Sequence, residues 1–164
     1  MKPLEGLRVQ DLTRVMVALQ SDVIVENFRP GVAARLGLGP DLREEKPGLI
    51  YASISGFGQS GPDAHLPAYD LVAQAMSGLM AATGEEGGGP LKVGESFGDL
   101  MAGLFASWSI LAALHHRDRT GEGATLGVAM FDALFALLPR TKGGGPCPRL
   151  PHHADLRGLL GNST

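Results

Sequence analysis

Asp22-Val23-Ile24-Val25-Glu26-Asn27-Phe28-Arg29-Pro30-Gly31 carries a short β-branched run into a turn closed by Pro-Gly. Such a run reads as a buried strand of the kind found inside parallel sheets. Leu49-Ile50-Tyr51-Ala52-Ser53-Ile54 has the same character, and Gly31 to Leu38 between them reads as a short helix closed by glycines. Strand, helix, strand at this spacing predicts a parallel α/β unit.

Working outward, Leu7-Arg8-Val9-Gln10-Asp11-Leu12 alternates apolar and polar side chains after a glycine and predicts another short strand. Gly56 to Pro67, with three glycines and two prolines, predicts a loop. Tyr69 to Met80 places Leu71, Val72, Ala75, Met76 and Leu79 at three-and-four spacing, which predicts one amphipathic helix. Glu85 to Pro90 reads as a flexible connection. From Asp99 to Arg117 the chain is mostly apolar with basic residues at its far end, where a helix dipole favours them. Thr125 to Val128 reads as a strand and Ala129 to Leu138 as a helix.

The chain of 164 residues is the size of one domain, and 44% apolar against 19% charged residues puts it in the soluble globular class. A net charge of -3 offers no general attraction to nucleic acid or to an anionic membrane surface. The single cysteine, Cys147, has no intramolecular partner, and neither a signal peptide nor an unbroken apolar run of membrane-spanning length is expected. A cytoplasmic protein follows as the expectation. Residues 139–164 change character: four Lys/Arg stand against one Asp, around Gly143-Gly144-Gly145-Pro146-Cys147-Pro148. The chain is therefore divided into a folded part, 1–138, and a Gly/Pro/Arg-rich tail, 139–164, expected to be disordered.

Asp99 follows Gly98 and precedes the long apolar stretch. On spacing alone such a carboxylate reads first as an N-cap accepting backbone N–H bonds. The same donors and the helix dipole stabilise its ionised form and leave a ready nucleophile, so both roles are compatible. The glycine-rich segments match neither a dinucleotide fingerprint nor a P-loop. His115-His116 are adjacent on a helix and point in different directions, so no metal site is expected there or elsewhere.

Several segments, in order, resemble the class III CoA-transferase family of the CaiB/BaiF type. They are Pro3-Leu4-Glu5-Gly6-Leu7-Arg8-Val9 with Asp11-Leu12-Thr13-Arg14-Val15, and Val25-Glu26-Asn27-Phe28-Arg29-Pro30-Gly31 with Arg35-Leu36-Gly37. Ser53-Ile54-Ser55-Gly56-Phe57-Gly58-Gln59, Tyr69-Asp70-Leu71 with Gln74 to Met80, Gly98-Asp99, and Arg119-Thr120-Gly121-Glu122-Gly123 follow. The resemblance implies an α/β fold with an incomplete Rossmann-like parallel sheet. It also implies CoA transfer from an acyl-CoA thioester to a carboxylic acid through an aspartyl-CoA thioester, with Asp99 as the catalytic carboxylate. By the same resemblance Val15 and Met16 border the pantetheine end of CoA, and Asn27, Phe28 and Arg35 line its nucleotide portion. No permanently bound cofactor is implied; coenzyme A and acyl-CoA are substrates, and full-length relatives are homodimers.

Relatives of the racemase branch carry histidine where this chain has Tyr69, and tyrosine is a poor base for proton abstraction beside a thioester, so transfer is preferred. The resemblance also implies an internal deletion near residues 18–21 and a shortened C-terminus, because family members run through a further α/β unit between Ala18 and Ser21 and through a second domain. With that unit absent, the strands at Leu7 to Leu12 and Val23 to Val25 are not expected to pair directly. A noncatalytic remnant, or a fragment that binds CoA or a partner, is the alternative reading.

Overall fold

The computed structural model describes residues 9–11, 20–84 and 88–138. Strands β1 (Val9–Asp11), β2 (Val23–Glu26), β3 (Ile50–Ser55) and β4 (Thr125–Ala129) form one sheet in that order, all pairs parallel. Between them run helices α1 (Val32–Arg35), α2 (Leu42–Glu45), α3 (Asp70–Met76), α4 (Leu79–Thr83) and α5 (Phe97–Thr120), and α6 (Met130–Phe135) follows β4. The α/β architecture with a parallel sheet is thus present. The expected obstacle to pairing β1 with β2 is corrected: Val9 aligns with Val23, and Asp11 with Val25. Residues 12–22 bridge the two strands, and a parallel crossover closes over roughly 10–12 residues, so the short connection suffices.

The sheet's two faces follow from the two-residue period of its central strands. Ile24 and Tyr51, aligned across β2 and β3, point to one face, where they pack with Ala33, Leu38 and Leu49 under α1 and α2. Val23 and Ile50, also aligned, point to the other and pack against Ala113, Ile110 and Leu114 of α5. Being covered on both faces, these strands can be apolar throughout. The one polar group in the first layer, the Tyr51 hydroxyl, donates to the Leu38 carbonyl at 2.7 Å. Burial, with the nearby Glu26 charge adding to it, pushes its pKa up to about 12, so it stays a neutral donor.

α5 meets the sheet through small residues. Gly98, Ala102, Ala106 and Ala113 are buried, whereas Leu100, Leu104, Trp108 and Leu111 are 40–61% exposed. Alanines let the helix lie close to β3 and β4; the large apolar side chains form a stripe on the outer surface. By length and composition α5 is apolar enough to cross a membrane, but its small-residue face is part of the α/β core.

The helix expected over Tyr69 to Met80 is two helices. Gly78, at φ 87°, takes the left-handed conformation open to glycine and separates α3 from α4. α2, which the sequence pattern did not suggest, is anchored by Arg43. The Arg43 guanidinium donates to the Leu49 and Gly123 carbonyls at 3.2 and 2.9 Å and to the Thr125 hydroxyl at 3.2 Å. Lys46 donates to the Ser21 carbonyl at 2.6 Å, and Arg117 reaches Asp22 at 3.3 Å. All three cations gather at the amino ends of the strands and fasten that end of the sheet. The expected tail, 139–164, lies outside the described residues.

Candidate active site

At the opposite end, the strands release the chain into loops that enclose a cavity of about 260 Å³. Open parallel α/β sheets bind ligands at the carboxyl ends of their strands. Asn27, Phe28, Arg29 and Pro30 come from the loop after β2, Ser55 and Gly56 from the end of β3, and Met130 from the end of β4. Leu66 to Tyr69 form another wall, and Asp99 enters from the first turn of α5.

Asp99 is not the N-cap that its spacing suggested. Ser96 holds that position, and Asp99 is the third residue of the helix. The fastening role belongs to Asp70, the first residue of α3. Its Oδ1 accepts the Gly98 N–H at 2.7 Å, both its oxygens accept from Gln74 Nε2 at 2.9 Å, and Lys92 Nζ stands 3.6 Å from Oδ2. Gln74 in turn accepts the Val93 N–H at 3.0 Å, joining α3 to the segment that leads into α5. Gly98 lies beneath this junction: a Cβ there would sit 2.9 Å from Met130 Sδ and 3.1 Å from Asp70 Oδ1. Two carboxylates therefore share one helix start, with different duties. Asp70 is buried and fully engaged, and Asp99 is exposed with no hydrogen bond or ion pair among the described residues.

Asp99 has its pKa raised above the ordinary 3.8, first by desolvation and then by the charge of Asp70. A carboxylate so placed is slightly more basic than one in water and leaves its lone pairs free. That is the state a carboxylate nucleophile needs.

Of the residues expected at a CoA site, Asn27 and Phe28 line the same cavity as Asp99. Phe28 is half-buried: part of its ring packs on the Ile24 and Tyr51 cluster, and its N–H donates to Glu26 Oε2 at 2.7 Å. Arg35 is exposed on α1 and lies outside the lining of this cavity. Val15 and Met16 lie outside the described residues. Sequence reasoning assigned no role to Asp70, Gln74 or Ser55. The four-residue spacing of Asp70 and Gln74 on a helix was the available signal for the first two; Ser55 gave none.

The family profile described as CoA-transferase family III matches residues 7–143. The acetyl-CoA:oxalate CoA-transferase of Acetobacter aceti is 54% identical over 121 residues, covering 73% of this chain and 31% of that protein. The succinyl-CoA:mesaconate CoA-transferase of Haloarcula hispanica is 45% identical over 127 residues, covering 74% and 32% respectively. Among solved structures, a CAIB/BAIF family protein from Brucella suis superposes with a TM-score of 0.72 at 40% identity, over 74% of this chain and 32% of that one. The chain thus spans about a third of the length of these relatives.

Proposed function

Because the chain belongs to CoA-transferase family III, we propose that it acts in moving CoA from an acyl-CoA thioester to a carboxylic acid, with Asp99 as nucleophile. The observation that carries this reading is the meeting of Asp99, Asn27 and Phe28 around one cavity at the carboxyl ends of the strands. The relatives' own activities, which involve oxalate and mesaconate, point to small carboxylic acids as acceptors.

In this reading an Asp99 oxygen attacks the thioester carbonyl carbon. A C–O bond forms while the carbonyl π pair moves onto oxygen; collapse then breaks the C–S bond, expels CoA thiolate and leaves a mixed anhydride. The thiolate attacks the aspartyl carbonyl, releases the donor acid as its carboxylate and leaves an aspartyl-CoA thioester. The acceptor carboxylate repeats these steps in reverse and regenerates Asp99. One thioester replaces another, so the protein supplies position, a nucleophile and stabilisation of the tetrahedral oxyanion. Asn27 and Phe28 serve to hold CoA. Tyr69, 76% exposed at the cavity wall, offers a phenol and not the imidazole of the racemase branch, which disfavours a racemase reading.

Intact mass after incubation with a panel of acyl-CoAs, with Asp99→Ala as control, tests the proposal. A hydroxylamine-sensitive CoA adduct, absent from the variant, is expected. A folded sample that forms no adduct with any acyl-CoA would reject it. The exposed stripe on α5 favours a second reading, a fragment that binds CoA or a partner without turnover; binding of CoA with no adduct would select it.

A further inference from the structure

Ser55 ends β3, is 7% exposed, and its Oγ is a buried polar atom with no hydrogen-bond partner among the described residues. Buried hydroxyls are nearly always paired, because an unmade bond leaves the desolvation of the group uncompensated. The orphan is not in the apolar core: Ser55 lines the same cavity as Asp99. The neighbouring backbone is tied down, with the Gly56 carbonyl accepting the Phe131 N–H at 3.0 Å and Ser55 in register with Ala129. Gly56 also packs so closely on Ala68 that a side chain at position 56 would collide with it. The strand end is therefore rigid, while the hydroxyl itself reaches a new partner by rotating one torsion.

We infer that Ser55 Oγ donates a hydrogen bond to the acyl carbonyl oxygen of the bound thioester, the atom that gains negative charge when Asp99 attacks. The inference rests on the proposed transferase reading. A hydroxyl suits this role better than a cation at this position, since a neutral donor leaves the Asp99 charge unpaired. Among the described residues no side chain of the cavity wall accepts from Ser55 in its place and no base is bonded to it, so nothing there marks it as a nucleophile. Its effect on rate comes from a bond that strengthens as the oxyanion develops.

The test separates binding from chemistry. Acetyl-CoA labelled with carbon-13 at the carbonyl is bound to Asp99→Asn protein, which lacks the nucleophile, and the thioester carbonyl stretch is read by infrared difference spectroscopy. A shift to lower frequency that disappears in Asp99→Asn/Ser55→Ala is expected. In the Asp99 background, Ser55→Ala should slow adduct formation by about 100-fold with little change in acetyl-CoA affinity. Ser55→Cys, which keeps the shape with a weaker donor, should fall between them and guards against a folding defect in the alanine variant. An unchanged carbonyl stretch and adduct rate in Ser55→Ala would overturn the inference and leave the transferase reading standing. Failure of every acyl-CoA of the panel, acetyl-CoA included, to bind to the folded protein would overturn both.

Discussion

The Asp70 carboxylate accepts the N–H of Gly98 at 2.7 Å, so the residue beside the candidate nucleophile is held by a side chain from another helix. Asp99 is thereby relieved of the capping duty its position in the sequence suggested, and its oxygens stay available to a ligand. Holding the helix start and presenting a free carboxylate at its third position thus fall to separate residues.

Removing the fastener should loosen both. Asp70→Ala leaves the buried Gly98 N–H without its acceptor and the Gln74 amide with only the Glu95 carbonyl at 3.3 Å, at a cost of about 2–3 kcal/mol. Urea denaturation should show that loss, and the adduct on Asp99 should form more slowly in the protein that remains folded. Unchanged stability would mean that Asp70 does not hold the start of α5.

The two glycines of α5 should respond in opposite directions to alanine. At Gly98 a methyl group meets Met130 Sδ and Asp70 Oδ1, and the overpacking should destabilise by about 1–3 kcal/mol. At Gly103 a Cβ meets nothing within 4 Å on an exposed helical position, so alanine should stabilise by about 1 kcal/mol through helix propensity. Thermal melts of the two variants check this; the same sign for both would contradict the packing described.

Acid should quench the nucleophile sooner than it quenches a free carboxylate. Asp99 has its pKa raised above 3.8, by desolvation and then by Asp70, and in the proposed reaction only the ionised form attacks. Adduct formation should therefore fall on acidification with a midpoint above 3.8. The linked stability has the opposite sense. A group whose pKa is raised on folding favours the folded state below its unfolded pKa, and that contribution is lost as pH rises through the folded value. Asp99→Asn should accordingly leave the melting temperature at pH 7 equal or higher; a lower one would show that the ionised side chain has a stabilising partner.

The outer face of α5 should behave as an exposed apolar surface. Leu100, Leu104, Trp108 and Leu111 lie along it, and Trp108 is the one tryptophan of the chain, in edge contact with Phe105 at 5.4 Å between ring centroids. Red-shifted tryptophan emission and binding of a hydrophobic dye are expected, both reduced in a Leu104→Lys/Leu111→Lys variant. A blue-shifted, dye-free protein would show that this stripe is covered in solution.

Much of the fold was legible because its signals are local. β-branched runs at Val23–Val25 and Leu49–Ile54, glycines around Gly31 to Leu38, and the long apolar helix ending in basic residues each express a short-range preference of the backbone. The phrase from Val25 to Gly31 and the Gly98-Asp99 pair carried the family resemblance in the same direct way. What required tertiary structure were relations between distant segments. Pairing of β1 with β2 depends on how much chain a crossover needs, which a pattern of residues does not state. The break at Gly78 was hidden because the apolar period continues past it.

The site divides along the same line. By itself the sequence determined the strands, the helix, the carboxylate at its start and the kinship, since each is written in contiguous residues. Only the tertiary structure decided that Asp70 fastens the start of α5 through Gly98, 28 residues away in sequence. It likewise decided that Asn27 and Phe28 share a cavity with Asp99 while Arg35 does not, and that Ser55 is buried there without a partner among the described residues. The physical reason is that hydrogen-bond satisfaction and desolvation belong to the assembled surroundings of a group, and those surroundings exist only once separate segments have packed together.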